Sequence, residues 1–405
     1  MNILQINNTD LPGARFNGYN TMQYLRKNSI DCKQIVMEKY SFDSDVIQIS
    51  IPQTVHKYMQ TFEKENSIKS LIFPYGKLIS QYDAFKEADI VHYHLIHNDI
   101  MSIYDLPNLF NLKKSIWTIH DPWIFTGHCI HPIECEKWKS GCGKCQFLSR
   151  HFQMQNDNTA FMWKKKKELF DAIDNKIDLI VASEWMYDLI RTSPITKNVK
   201  NVHIIPFGIN LDLYKSDDNI KTTLRKKHKI NKNDIVIFFR SDKSEYKGLS
   251  YIIDALKKLP YDEYSITLVT VGEIGELKQF QNKYNILEYG WINDETKLAE
   301  LYKLSDIFLM PSIAEAFGVM AIEAMSSSLA VVVLNGTALP SVVQSPHGGI
   351  STDKESFASV IRNLITDKEL RIKKGIEARK IAETYYDEKQ HFDRLLELYL
   401  KVYER

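Results

Sequence analysis

Two glutamates, Glu315 and Glu323, stand eight positions apart in the segment Pro311-Ser312-Ile313-Ala314-Glu315-Ala316-Phe317-Gly318-Val319-Met320-Ala321-Ile322-Glu323-Ala324. The apolar run Ile307–Met310 before it reads as a buried strand. Glu315 then falls in a strand-to-helix turn, and Glu323 about two turns into the helix. A helix N-terminus offers unpaired amides and partial positive charge, so a phosphate can rest there. Gly318 allows close approach, and a carboxylate accepts hydrogen bonds from sugar hydroxyls. The combination suits a nucleotide sugar. Phe317, Val319, Met320, Ile322 and Met325 make the helix largely buried, where an unpaired glutamate is costly. A ligand role is therefore expected, for Glu323 above all. A glycosidase pair needs carboxyls roughly 5–10 Å apart, whereas eight helical residues rise about 12 Å; hydrolysis by this pair is disfavoured.

Three further segments carry suitable groups. Phe238-Phe239-Arg240 ends a strand, and Lys247-Gly248 opens a helix after a polar loop. Two cations beside a helix start can clamp a diphosphate and stabilise it as a leaving group. Thr118-Ile119-His120-Asp121 ends another strand, placing His120 to meet a ligand oxygen, with Asp121 either orienting it or capping the next turn. The small-residue turn around Gly13 follows the opening strand. Separately, Cys129, Cys135, Cys142 and Cys145 are spaced C-x5-C-x6-C-x2-C. Four thiolates suit a closed structural Zn²⁺ site, with His128 and His131 as substitute ligands. Reduced thiols packed as small hydrophobes, or disulfides formed in air, are the alternatives.

These groups need strands and helices to hold them. The chain has 405 residues, 44% of them hydrophobic, and a formal net charge of +1. That length predicts two domains, and the charge balance implies no nucleic-acid-binding field. Strands are predicted at Ile3–Ile6, Lys33–Val36, Ile90–His94, Ser115–Ile119, Leu179–Ala182 and Val202–Ile205. After the polar stretch Tyr214–Asp234 they resume at Ile235–Phe239, Ile266–Val271, Ile286–Tyr289, Ile307–Met310 and Leu329–Leu334. Alternation with amphipathic segments predicts an α/β protein of two doubly wound, Rossmann-like domains facing each other across a cleft. The expected divisions are an N-terminal domain over 1–210 with a Cys-rich loop at 123–150, a C-terminal domain over 211–386, and a last helix over 387–405. Glu369–Tyr386 and Glu388–Glu404 read as long terminal helices. No run of 18 apolar residues occurs, and Met1 leads directly into a strand, so a cytoplasmic protein is expected. The run Lys164–Lys167 reads as a solvated helix face, the alternative being a patch for anionic lipid.

Taken together, these residues resemble glycosyltransferase family 4, the retaining group with the GT-B fold. The resemblance rests on the Glu315–Glu323 segment with Ala316-Phe317-Gly318, on Arg240 and Lys247-Gly248, on His120-Asp121, and on Ile205-Pro206-Phe207-Gly208-Ile209-Asn210. It implies that Arg240 and Lys247 grip a diphosphate, helped by amides near Phe317, Gly318 and Val319. Glu323 would hold the ribose and Glu315 the transferred sugar. The backbone after Gly290, at Trp291 and Ile292, would read the base. His120 would reach the sugar or the acceptor, and Gly13 would let the diphosphate lie close. No catalytic divalent metal is implied, and Asp43-Ser44-Asp45 lies in a polar loop. The donor would be a UDP- or GDP-linked sugar, and the acceptor a glycan or lipid-linked oligosaccharide in capsule, exopolysaccharide or O-antigen assembly. Membrane contact would be peripheral, through the N-domain. A second reading is a catalytically silent GT-B subunit that stabilises or targets a partner transferase. The chain departs from the family pattern in the seven-residue Arg240–Lys247 spacing, in Ser326-Ser327-Ser328, and in Phe207 and Asn210, where Asn and Asp are common.

Overall fold

A computed structural model describes residues 1–173 and 176–405. The first of two sheets contains β1 (Asn2–Thr9), β2 (Asp31–Glu38), β3 (Val46–Gln48), β4 (Ile90–Tyr93), β5 (Lys114–Thr118), β6 (Ile177–Val181) and β7 (Asn201–Ile204). The second contains β8 (Ile235–Ser241), β9 (Ile266–Gly272), β10 (Asn285–Glu288), β11 (Ile307–Met310), β12 (Ala330–Leu334) and β13 (Ile350–Thr352). Spatial orders are β3-β2-β1-β4-β5-β6-β7 and β10-β9-β8-β11-β12-β13, with every ladder parallel. Parallel strands covered on both faces need apolar side chains on both faces. Hence β11 and β12 are unbroken apolar runs, buried throughout. The doubly wound α/β class expected from the sequence is the one found. The three-residue edge strands β3 and β13 were not expected, because so short a run carries no readable period.

The chain divides into one unit of Met1–Phe207 with Phe392–Arg405 and another of Gly208–His391. In the first, Ile3, Val36, Ile90, Ile116 and Ile180 pack with Phe392, Leu395, Leu398, Tyr399 and Val402 of the helix Glu388–Glu404. Each such buried side chain contributes roughly 1.5–3 kcal/mol of gross apolar burial. Tyr24 stacks on Phe392 at 4.6 Å and Arg405 grips both oxygens of Asp178 at 2.8 and 3.1 Å, fastening the helix at both ends. In the second unit, Ile237, Phe239, Leu268, Leu309 and Val332 pack against Ile252 and Leu256 of the helix Leu249–Leu256 and Ile361 and Leu364 of Phe357–Thr366. Asn210 caps the short helix Leu211–Tyr214, its side-chain oxygen accepting from the amides of Asp212 and Leu213, so it does the capping work open to an aspartate. Among the described residues, no helix is long and apolar enough to cross a membrane.

Each sheet reverses its strand order once, between β1 and β4 and between β8 and β11. Loops at the carboxyl ends of such neighbours run off to opposite sides and leave a crevice. Gly13 follows β1, Arg240 is the penultimate residue of β8, and Glu315 follows β11. The candidate residues thus flank the two positions where this topology makes ligand sites.

Candidate active site

In the second unit, β8 delivers Arg240 to the sheet edge, and a loop leads through the 3₁₀ turn Glu245–Lys247 to Gly248 and the helix Leu249–Leu256. Gly248 has φ +72°, and a Cβ there would lie 2.0 Å from the carbonyl oxygen of Pro311. Only glycine lets this loop press against the one after β11. The amide of Ile313 donates to the Tyr246 carbonyl at 2.9 Å and closes the contact. Lys247 Nζ consequently sits 2.8 Å from Glu315 Oε2, across 68 residues of sequence. The longer Arg240–Lys247 spacing is absorbed by the polar loop and the 3₁₀ turn.

The Arg240 guanidinium lies 4.7 Å from the centre of the Trp291 ring and pairs with Asp242 at 2.7 Å. Among the described residues, its Nε finds no hydrogen-bond partner though buried, and neither do the hydroxyls of Ser241 and Thr270. Leaving such a group unpaired costs about 1–3 kcal/mol. The carboxyl end of β8 and β9 therefore holds polar capacity that the chain itself does not use. Gly290, at φ +65°, accepts from the Gly272 amide at 2.8 Å, and the following Trp291 is 65% exposed. Trp291 and Ile292 border a cavity of about 590 Å³, with His228, Tyr289, Lys297 and Glu300 among its other walls.

Gly318 opens the helix Val319–Ser326 at φ +98°, and an added Cβ would meet Leu339 at 2.4 Å. Phe317 is buried edge-on against Tyr386, with ring centres 5.9 Å apart. Glu323 is 3% exposed, as the apolar helix requires. It is not unpaired, however. Its two oxygens accept from Tyr214 Oη at 2.9 Å and Tyr302 Oη at 2.8 Å. The expectation of a ligand role from an uncompensated buried charge loses its premise, because two tyrosines from distant elements satisfy the carboxylate. Nothing in the local sequence marks them.

In the first unit, the turn containing Gly13 (φ +74°) is anchored by Asp10, whose carboxylate accepts from the amides of Leu11, Tyr40 and Ser41 at 2.8, 2.9 and 2.9 Å. Phe16 from this turn meets His120 edge-on at 6.4 Å, and Phe207 stacks on His120 at 5.8 Å with the rings 4° from parallel. His120 Nε2 lies 3.2 Å from His94 Nδ1. Burial pushes His120 down to about 4, Asp121 opposing and His97 adding to the shift. Asp121 takes the capping alternative. It accepts from the Trp123 amide at 2.9 Å and pairs with His97 at 3.1 Å. Burial raises the Asp121 carboxyl, but His97 and the capped amide outweigh it and hold it below the ordinary range. Sequence reasoning passed over His94 and His97, and gave Phe207 no place beside His120. The spacing His92-Tyr93-His94 with His97, at the end of β4, was the available signal.

The Cys-rich loop holds its four cysteines near one another, with Cys129 and Cys145 beside His128. Among the described residues, no group of three or more His, Cys, Asp or Glu side chains is placed to hold a metal ion, so the geometry gives the zinc expectation no support. Cys129, Cys135, Cys142 and Cys145 form no disulfide. His128 Nε2 lies 3.5 Å from Cys129 Sγ and 3.6 Å from Cys145 Sγ. Burial pushes Cys129 up to about 12 and Cys142 up to about 11, and Cys135 and Cys145 add to both. The loop is pinned from inside by Lys166, which is 1% exposed and donates to the carbonyls of Trp123 and Thr126 at 2.6 and 2.9 Å. Its ammonium also lies 3.7 Å from the centre of the Trp123 ring. The run Lys164–Lys167 is thus not a uniformly solvated face: Lys166 turns inward, while Lys165 and Lys167 pair with Glu168 and Asp171. Asp43 and Asp45 both pair with Arg26, at 2.8 and 3.1 Å.

Two parallel α/β units with candidate groups at their switch points define a class of fold, and that fold is GT-B. Sucrose-phosphate synthase from Thermosynechococcus elongatus matches 100% of this chain and 99% of its own, with a TM-score of 0.72 at 16% identity. Anabaena Alr3699/HepE, solved in complex with UDP-glucose, matches 99% of this chain and 100% of its own, with a TM-score of 0.64 at 16% identity. Within the second unit, residues 220–381 match the family model Glycosyl transferases group 1. The capsular polysaccharide biosynthesis glycosyltransferase CapM of Staphylococcus aureus is 24% identical over 238 residues, covering 55% of this chain and 61% of CapM. The chain spans between about half and two thirds of the length of this and the other leading curated relatives.

Proposed function

We propose that this protein is a retaining glycosyltransferase that moves a sugar from a nucleoside-diphosphate donor to a glycan hydroxyl. The observation that carries this reading is the junction at the β8–β11 switch point, where Lys247 meets Glu315, with Arg240 near the end of the neighbouring β8. Fixed cations there suit a diphosphate, which leaves with negative charge and is best stabilised by donors already in place. A carboxylate within reach of the same lysine suits the hydroxyls of the transferred sugar. Arg240 and Lys247 then hold the diphosphate, with the Phe317, Gly318 and Val319 backbone close to it. Glu315 holds the sugar. Glu323 is assigned to the ribose on the family resemblance of its segment, beside the two tyrosines that already meet its oxygens. Gly290, Trp291 and Ile292 line the base, and His120 receives a hydroxyl of sugar or acceptor.

The first unit serves the acceptor and the second the donor. Retention proceeds by front-face attack, with the departing phosphate taking the acceptor's proton, and no divalent ion is needed. The name of CapM and the complex of Alr3699/HepE with UDP-glucose support a surface-polysaccharide setting and a nucleotide-sugar donor. We place the acceptor on a lipid-linked glycan. The donor is a UDP or GDP sugar.

A thermal-shift screen of UDP, GDP and their sugars on wild type and Lys247→Ala tests the donor site. Stabilisation of wild type by one nucleotide series, weakened in the variant, is expected. No stabilisation by any of them would end this reading. Turnover over a panel of glycan acceptors, with the product anomer read by NMR, separates a retaining enzyme from an inverting one. Nucleotide binding without any turnover would favour a silent subunit.

A further inference from the structure

Six polar side chains inside the first unit form an unbroken hydrogen-bonded row. His120 Nε2 lies 3.2 Å from His94 Nδ1, and His94 Nε2 lies 2.9 Å from Gln5 Oε1. Gln5 Nε2 lies 3.0 Å from Tyr399 Oη, Tyr399 Oη 2.6 Å from His92 Nδ1, and His92 Nε2 2.7 Å from Thr118 Oγ1. Apart from His120, every member is 5% exposed or less. In so dry a row each link requires one donor and one acceptor, since a link with two of either kind leaves a buried polar group unpaired.

Proton counting gives the row a direction once the Gln5 amide is oriented with its nitrogen toward Tyr399 and Cys32. Burial keeps His94 well below its ordinary value, with His92 and His120 adding to the effect, so its ring is neutral and carries one proton. The Gln5 amide turns its oxygen to His94 and its nitrogen to Tyr399, and that nitrogen also faces the Cys32 sulfur at 4.0 Å. His94 must then donate from Nε2, which leaves its Nδ1 to accept. His120 must donate from Nε2 to satisfy it. Tyr399, receiving from Gln5, gives its own proton to His92 Nδ1, and His92 Nε2 donates to Thr118. The opposite direction also closes, but only if the Gln5 amide flips and every proton in the row changes sides together.

We infer that this row fixes His120 as the Nε2–H tautomer presenting its Nδ1 lone pair, and that Gln5 and Tyr399 are its positioning residues. Among the described residues, His120 Nδ1 has no protein hydrogen bond, and it is not one of the buried unpartnered atoms, so it is open to a ligand. A lone pair on a neutral ring accepts the hydrogen of a hydroxyl and repels a phosphate oxygen. His120 is therefore a hydroxyl acceptor and not part of the diphosphate clamp. That the hydroxyl belongs to a sugar or glycan rests on the proposed function; the tautomer does not. Tyr399 reaches the row from the last helix, 394 residues from Gln5, where no motif marks it.

The test is ¹⁵N NMR of the histidine side chains in the full chain at neutral pH. His94 and His120 are both expected as Nε2–H tautomers. A His120 protonated on Nδ1 overturns the inference. Tyr399→Phe keeps the ring but removes the oxygen that orients Gln5. It is expected to show both His120 tautomers and to lower kcat about fivefold, with the donor KM within about twofold. An unchanged His120 tautomer in this variant overturns the role of Tyr399. If the variant does not fold, Thr118→Val perturbs the same row from its other end, and an unchanged tautomer there counts equally against the coupling. Nε2–H histidines in a protein without transferase activity uphold this inference while ending the proposed function.

Discussion

The Lys247–Glu315 pair allows two variants of a single contact to move nucleotide affinity in opposite directions. At 2.8 Å the pair is close, but the side chains are 28% and 17% exposed. Two charges about 4 Å apart at an effective dielectric constant of about 20 attract by about 4 kcal/mol. Solvent screening and side-chain ordering reduce the net value of such partly exposed pairs to roughly 1 kcal/mol. A diphosphate drawing Lys247 away from Glu315 must overcome that amount and gains a charge-assisted hydrogen bond of roughly 1.5–3 kcal/mol. Lys247→Ala should therefore weaken nucleoside diphosphate binding about 10- to 150-fold, because it removes the cation and leaves the Glu315 carboxylate beside the phosphates. Glu315→Gln should tighten the same binding about fivefold, since it releases Lys247 and removes a repulsive charge. It should nevertheless abolish most sugar transfer. Isothermal titration with UDP and with GDP measures both effects, and a radiolabelled-sugar assay the transfer. Weakened nucleotide binding in Glu315→Gln, or unchanged binding in Lys247→Ala, would refute the clamp and leave the pair a structural bridge between two loops.

Other consequences concern stability. Lys166 is pushed down to about 7, chiefly by burial, from 10.5. The unfolded chain then holds more protons than the folded one between those values, so stability should rise with pH across that window, by at most about 3 kcal/mol from pH 7 to 9. Lys166→Met should flatten the rise in urea midpoints; a slope unchanged in that variant would assign it to other groups. His120 and His128 are both pushed to about 4 from 6.5 by burial. Unfolding takes up protons between those values, so stability should fall with acidification below pH 6.5, by no more than about 3 kcal/mol for each ring. His128→Gln should lessen the loss between pH 6.5 and 5, and a melting temperature flat over that interval would contradict the burial of both rings. Gly248→Ala places a Cβ 2.0 Å from the Pro311 carbonyl at a positive φ. A loss of about 3 kcal/mol and of nucleotide binding is expected, and wild-type values of both would show that the two loops are not in register.

The sequence made some parts of the site readable and hid others. Arg240, Gly248, Glu315 and Gly318 stood out because an apolar run ends or a helix begins at each, and strand-end loops carry ligands in a doubly wound fold. Glu323 was legible as a buried carboxylate but not as a satisfied one, since its tyrosines come from 109 and 21 residues away. Lys166 read as solvated because a run of four lysines gives no sign of which one faces inward. The orientation of the helix Thr159–Ala172 against the Cys-rich loop decides that. The four cysteines read as a ligand set from spacing alone, and spacing does not reveal the nearness of His128 Nε2 to Cys129 and Cys145.

What the sequence by itself determined is therefore periodic and local: parallel strands from unbroken apolar runs, helix starts from glycine and capping residues, and two α/β units from length and a polar break. Strand order belongs to the tertiary structure alone. It placed Lys247 on Glu315, aligned six side chains from His120 to Thr118 through Tyr399, and left Arg240 Nε without a partner among the described residues. Those contacts join residues up to 394 positions apart. Their existence depends on which strands lie side by side, a choice made by the packing of whole faces and not by any local pattern.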